Sequence, residues 1–329
     1  MNLSSITDRI RSGGQAPFLI DLLLAAATPV QRMGMAWRFS RPRTRVNAHV
    51  ISYGNITAGG TGKTPAVIER AQQEVKTGRR VAVLTRGYGA SKTQEPLIVT
   101  PDDPRDGLAE RVGDEPALIA RHVPEAFIVK SADRVAGARA AVDEHQCHTL
   151  ILDDGFQAVA LAREENVLVV DATNPFGNGH LLPRGILREP IAAVRRATKL
   201  ILTHCDQIQD VEALAAQFSL LLPEVPIRKT KHAPSHLWRL ADGEGLDLES
   251  LRGKEVAAVC AIGNPESFFR TIESLGATIT ARRAFRDHAD IPPDAIPEAE
   301  IVVTTEKDAV RMRHAPEGLL ALAIEVRNL

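Results

Sequence analysis

Residues 54–64 read Gly-Asn-Ile-Thr-Ala-Gly-Gly-Thr-Gly-Lys-Thr (GNITAGGTGKT), directly after the apolar run HVISY at 49–53. A short continuous apolar run of this kind predicts a buried strand. From Lys63 or Thr64 the chain reads as a helix reaching about Lys76, with Gly78 as its stop. Strand, glycine-rich loop and helix in that order turn backbone N–H groups onto a phosphate, and the helix N-terminus adds positive potential. Thr57, Ala58, Gly59, Gly60, Thr61 and Gly62 then form the loop. Lys63 reaches the β- and γ-phosphates of ATP, and the Thr64 hydroxyl ligates Mg²⁺. The strict pattern GxxxxGK[ST] asks for glycine where Thr57 stands, so the loop is a variant of it.

Working outward, the pattern is α/β. Strands are predicted at 80–85 (RVAVLT), 126–130 (AFIVK), 149–152 (TLIL), 167–170 (VLVV) and 199–203 (KLILT). Helical stretches at 116–122, 133–144 and 211–222 alternate with them. Apolar runs of this length suit strands covered on both faces, and the alternation predicts a parallel sheet with helices on either side. Across 223–240 the composition shifts to prolines and basic residues without a clear period. A linker with short strands at 227–228 and 237–238 is expected there. A smaller α/β unit follows, with strands at 256–261, 301–304 and 320–326 and a helix over 265–275. The expected organisation is an N-terminal segment 1–45, a P-loop domain 46–224, a β-linker 225–240 and a smaller α/β domain 241–329.

A second signal lies further along the same set of strands, in Thr149-Leu-Ile-Leu-Asp153-Asp154-Gly-Phe-Gln157. An apolar strand that delivers a carboxylate at its C-terminal end is how an acid meets the Mg²⁺ of a P-loop. Two adjacent carboxylates let one take the metal while the other orients water or substrate. Other strand ends and loops offer RGYG at 86–89, GDEP at 113–116, SADR at 131–134, Arg188-Glu189-Pro190 and Asp287-His288. Taken singly, each of these also fits a capped helix start or a solvated turn.

With 329 residues and 44% hydrophobic content the chain can bury a sizeable core. A net charge of −1 excludes a general polyanion binder, so no nucleic-acid partner is called for. Cys147, Cys205 and Cys260 are scattered without CxxC spacing, which excludes a disulfide framework or zinc site and fits buried core residues. The N-terminal run APFLIDLLLAAA at 16–27 is apolar apart from Asp21. It is too short to span a hydrocarbon core about 30 Å thick. Arg9, Arg11 and Ala25-Ala26-Ala27 mimic a secretory signal, but cleavage would export a nucleotide-dependent enzyme away from ATP. Arg32, Arg38, Arg41, Arg43 and Arg45 occur with no acid among them, interleaved with Trp37 and Phe39. Two readings stand: contact with an anionic membrane surface, or a core helix followed by a solvated basic loop.

The motifs GNITAGGTGKTP, RGYG, GDEP, LDDGFQ and DATNPFGNGHLLPRGILREP, followed by FRDHAD and TTEKDAVR, occur in that order over residues 50–313. As an ordered set they resemble the tetraacyldisaccharide 4′-kinase (lipid A 4′-kinase) family. The resemblance implies transfer of the ATP γ-phosphoryl group to the 4′-hydroxyl of a tetraacylated glucosamine disaccharide 1-phosphate. It implies a peripheral enzyme on the cytoplasmic face of a Gram-negative inner membrane, with two α/β domains and an active site between them. It further implies Lys63 and Thr64 on the phosphates and Mg²⁺, Asp154 as metal acid with Asp153 beside it, and Asp114 as base supported by His288. Glu115 and Glu189 would assist the metal, directly or through water, and Tyr88 would contact the nucleotide. No obligatory protein partner is evident. Three rivals are weighed against it. A deviant-Walker ATPase of the partitioning or targeting kind would carry its signature lysine where Ala58 stands, and a GTPase finds only a loose echo of NKxD in Thr203-His-Cys-Asp206. A soluble small-molecule kinase is opposed only by the N-terminal stretch and the family resemblance.

Overall fold

The computed structural model describes residues 9–10, 13–14, 16–40, 42–87, 90–91, 95–312 and 316–329. Its first strands are β1 (His49–Gly54), β2 (Val81–Thr85), β3 (Leu97–Val99), β4 (Phe127–Lys130), β5 (Thr149–Leu152), β6 (Glu165–Asp171) and β7 (Lys199–Thr203). They lie in the spatial order β3-β4-β2-β5-β1-β6-β7, parallel throughout except for β3. Every residue of β2, β4 and β5 is buried, as their unbroken apolar sequences require of strands covered on both faces.

The helices are α1 (Phe18–Phe39), α2 (Lys63–Lys76), α3 (Leu108–Val112), α4 (Asp114–His122), α5 (Arg134–Asp143) and α6 (Val211–Leu221). Asp133 starts α5 by accepting from the Val135 and Ala136 N–H groups, and Asp210 starts α6 by accepting from that of Ala213. The apolar sides of α2 and α4 cover one face of the sheet with Ala66, Val67, Ile119 and Ala120. Ala138 and Ala141 of α5 cover the other, over Leu84, Val129 and Leu150.

The widest departure from expectation lies at 227–239. Composition predicts a linker with two short strands; the structure has one 13-residue strand, β8 (Ile227–Arg239). Its first residues pair in parallel with β7, through Leu200↔Ile227 to Leu202↔Lys229. From Thr230 onward it pairs antiparallel with β13 (Leu319–Asn328). Pro234 has no N–H to give, and it sits where the β8–β13 register shifts, between Leu322 and Ile324, so the ladder tolerates it.

Beyond β8 come β9 (Gly245–Leu246), β10 (Glu255–Cys260), α7 (Pro265–Ser274), β11 (Thr278–Ala284), β12 (Val302–Thr305) and the short α8 (Glu306–Ala309). The order β8-β13-β12-β10-β11 completes a single 13-stranded sheet. Phe268, Phe269 and Ile272 of α7 pack over Val256, Ala258 and Leu320.

At the N-terminus, the sequence leaves two readings, contact with an anionic membrane surface or a core helix followed by a solvated basic loop. The structure carries one 22-residue helix, α1, through Pro29. An interior proline costs about 3 kcal/mol. Packing of Ile20 and Leu24 with Ile186, packing of Met35 against the second core cluster, and the Asp21–Arg184 ion pair at 2.8 Å offset it. Phe18, Leu22, Leu23, Met33 and Trp37 of α1 are exposed. Of the basic cluster, Arg41 and the side chains of Arg32 and Arg38 lie outside the described residues. No helix among the described residues is long and apolar enough to cross a membrane.

Candidate active site

Neighbouring strands bring the two strongest motifs together. β1 and β5 pair from His49↔Thr149 to Ser52↔Leu152. The glycine-rich loop and the Asp153-Asp154 pair therefore emerge side by side at the C-terminal ends of the strands, where open α/β sheets hold ligands. The approach is so close that a Cβ on Gly54 would stand 2.5 Å from the Phe156 nitrogen, so the position accepts only glycine. At the far end of the loop Gly62 caps α2 with φ 71°, and a Cβ there would meet the His232 ring of β8 at 2.3 Å. Gly59 and Gly60 are exposed at the crest, which leaves their backbone open to a ligand.

The Lys63 ammonium donates to Asn55 Oδ1 at 3.2 Å and lies 3.4 Å from Asp154 Oδ1. Arg188 closes the other side of Asp154, its Nη1 at 2.9 and 2.7 Å from the two carboxylate oxygens. Backbone bonds fix that arginine: its N–H donates to the Ile56 carbonyl at 2.6 Å, and the Ala58 N–H donates to the Ile186 carbonyl at 2.7 Å. The segment before Glu189 is thus strapped along the phosphate-binding loop.

Burial opposes ionisation of Asp154, but Lys63 and Arg188 outweigh it and hold the carboxyl below its ordinary range. Its neighbour behaves oppositely. Burial, then the Glu115 carboxylate, push Asp153 up to about 7 despite Lys63. Asp153 is 3% exposed and its Oδ1 has no hydrogen-bond partner among the described residues. A buried carboxylate oxygen without a donor fits a cation at this place. No three His, Cys, Asp or Glu side chains among the described residues are close enough to hold a metal alone. Mg²⁺ takes one or two carboxylates and fills the rest of its shell with water and phosphate oxygens.

Asp114 and Glu115 form the first turn of α4, after Gly113 at φ 101°. His288, on the loop after β11, donates from Nδ1 to Asp114 Oδ2 across 3.1 Å, or accepts if the carboxyl is protonated. Arg311 Nη1 lies 3.5 Å from the same oxygen. Thr85, Arg86, Asp114, Glu115, Asp153, Asp154 and His288 line one cleft. Glu189 does not line this cleft; its carboxylate pairs with Arg196 at 2.7 Å and accepts from Gln157 at 2.8 Å, and it is 1% exposed. Tyr88 lies outside the described residues.

A family profile described as LpxK, tetraacyldisaccharide-1-P 4′-kinase, matches residues 18–328. The chain belongs to this family. It is a kinase, and its relatives cover most of it. The tetraacyldisaccharide 4′-kinase of Anaeromyxobacter dehalogenans is 42% identical over 90% of this chain and 81% of its own length. That of a Jannaschia species is 41% identical over 88% of this chain and 85% of its own. Among solved structures, the "apo" form of LpxK from Aquifex aeolicus in complex with ATP is 29% identical, with a TM-score of 0.74. That match covers 95% of this chain and 92% of that one. The P-loop NTPase-like sheet with a smaller α/β part is therefore the fold of the family as well as of this kinase.

Sequence reasoning missed Arg311, which the structure places 3.5 Å from Asp114 Oδ2. It ends the segment TTEKDAVR and is held by Asp308, and only the packing of the second half brings it to Asp114. Arg188, which the sequence offers only within Arg188-Glu189-Pro190, proves to be the arginine paired with Asp154.

Proposed function

We propose that this kinase transfers the γ-phosphoryl group of ATP to the 4′-hydroxyl of a tetraacylated glucosamine disaccharide 1-phosphate, the lipid A precursor. The observation that carries this reading is the Asp114–His288 pair, facing the same cleft as Asp153 and Asp154 beside the phosphate-binding loop. Phosphoryl transfer needs little covalent chemistry from the protein; it needs positioning, charge stabilisation and a group to take the hydroxyl proton.

The loop from Thr57 to Gly62 cradles the phosphates, with the N–H groups of Gly59 to Gly62 facing them and that of Ala58 held by Ile186, while Lys63 and Arg188 supply positive charge where the transferred group becomes anionic. Asp114 takes the sugar proton as the hydroxyl oxygen bonds to phosphorus. The bond from phosphorus to the bridging oxygen breaks, and ADP leaves with that electron pair. Thr64, Asp153, Asp154 and Glu115 are the residues that would hold Mg²⁺. The metal, when bound, neutralises phosphate charge and polarises the phosphorus–oxygen bond. Glu189 acts at one remove, since Gln157 bridges it to the Asn55 carbonyl at the start of the loop. Tyr88 remains the proposed nucleotide contact. The working units are 46–224 and 241–329, with 225–240 between them.

The exposed apolar side chains of α1 support peripheral binding to a membrane, proposed as the cytoplasmic face of the inner membrane, where ATP and the lipid acceptor meet. The experiment is transfer of label from γ-labelled ATP to purified tetraacyl disaccharide 1-phosphate in detergent micelles, wild type beside Asp114→Ala. Label in the lipid, lost in the variant, supports the reading. ATP turnover with no labelled lipid overturns it.

A further inference from the structure

Asp114 and His288 account for a base and its neighbour but leave open which atom of each handles the proton. Lys307 decides this. Its ammonium lies 3.0 Å from His288 Nε2. An ammonium has three donors and no acceptor, so Nε2 must offer a lone pair. The imidazole is then neutral, its proton sits on Nδ1, and it donates to Asp114 Oδ2 at 3.1 Å. The opposite tautomer would set N–H against N–H at Lys307. Its nearest alternative acceptor, Asp287 Oδ1, is 3.8 Å from Nε2, too far for a hydrogen bond.

The arrangement is built rather than incidental. Asp287 Oδ1 also holds the Lys307 ammonium, at 3.2 Å. The buried Asp308, next to Lys307, accepts from the Ala261 N–H at 3.0 Å and from the Thr305 hydroxyl at 2.6 Å. The Ala261 carbonyl accepts in turn from the His288 N–H at 3.1 Å. One carboxylate thus ties together the backbone that carries the lysine and the backbone that carries the histidine. His288 itself has φ 62°, in the left-handed region that few non-glycine residues adopt.

Resting on the proposed phosphoryl transfer, we propose that Lys307 is a positioning residue that locks His288 in its neutral Nδ1–H tautomer. His288 thereby orients Asp114 as a donor and is not a second proton acceptor. His288 and Arg311 both approach Asp114 Oδ2, so Oδ1 is the oxygen that receives the sugar proton. His288 keeps its own proton throughout, because a second one would have to enter at Nε2, against the ammonium.

The test reads the tautomer directly, by long-range proton–nitrogen correlation on the full chain labelled with nitrogen-15 histidine, the His288 signal being assigned by its loss in His288→Gln. Wild type should show a protonated Nδ1 and a bare Nε2. Lys307→Met should move His288 toward the Nε2–H form or the imidazolium. It should lower kcat on the order of tenfold and leave KM for ATP within about twofold. Lys307→Arg, again a donor without acceptors, should keep the wild-type tautomer and most of kcat. A protonated Nε2 in wild type, an unmoved tautomer in Lys307→Met, or a moved tautomer with unchanged kcat would each overturn the assignment. The spectra need neither ATP nor acceptor, so they stand even if the proposed acceptor proves wrong.

Discussion

The two sides of β8 bring different kinds of group to one cleft. On the side of β1 and β5 the charged groups are enclosed and already paired: Lys63, Asp154 and Arg188 form one cluster, and Asp153 is wholly inside. On the side of β10 to β13 the side chain that reaches Asp114, His288, is 53% exposed and rides on a loop. The proposed phosphate clamp is thus assembled by the parallel part of the sheet. The Asp114–His288 pair, proposed to handle the proton, exists only while both sides are apposed. On the proposed roles, the contrast implies that ATP binding and phosphoryl transfer draw on separable parts of the molecule.

The strongest way to break that contrast is to damage the clamp itself. Lys63→Ala or Asp154→Ala should lower turnover by about 10³-fold or more, since each removes charge next to the transferring group. Steady-state rates with saturating acceptor measure it, and losses under tenfold would show the cluster to be merely structural. Next, Asp114→Asn should reduce kcat by about 10²-fold while leaving ATP affinity, read by calorimetry, unchanged. Comparable loss of ATP affinity would mean the two functions are not separable.

Apposition can be probed away from the chemistry. The buried Glu306 accepts from Trp238 Nε1 at 3.0 Å and lies 3.0 Å from His122 Nε2, at the end of α4 opposite Asp114. Glu306→Ala removes the partner of both and should cost on the order of 2–3 kcal/mol of stability by denaturant unfolding. It should also lower kcat more than ATP affinity.

The smallest effect concerns pH. Burial, then His204, hold His232 down at about 4. In the unfolded chain a histidine takes its proton near the usual value of about 6.5, so the folded state binds fewer protons between those two values. Stability should therefore fall as pH drops from about 6.5 to about 4, by on the order of 2 kcal/mol. Thermal melts of His232→Gln should show a flatter acid limb than wild type; an equal slope would reject the assignment.

Much of this was legible because chemistry and strand pattern coincide locally. The runs at 149–152 and 199–203 are strands over just those residues, and the loop and Asp153-Asp154 lie on neighbouring strands as their motifs imply. β11 was not legible: TITARRA is an edge strand with mostly exposed side chains, so it lacks the apolar run that marks its neighbours. β8 was hidden for a related reason, since its side chains are mostly half-buried and a proline interrupts it. The site divides in the same way. Arg311 and Lys307 reach Asp114 and His288 only through the docking of β12 and β13, long-range packing that no local spacing encodes.

β8 has one more consequence. Its first residues complete the ladder of β7 and the remainder complete that of β13, so neither side closes its sheet without it. A chain split anywhere from Ile227 to Arg239 would leave two fragments, each ending in a raw row of unpaired N–H and C=O groups. Such edges recruit other strands. The kinase therefore resists being divided into two soluble pieces, and a nick in this strand should appear as aggregation before it appears as lost activity.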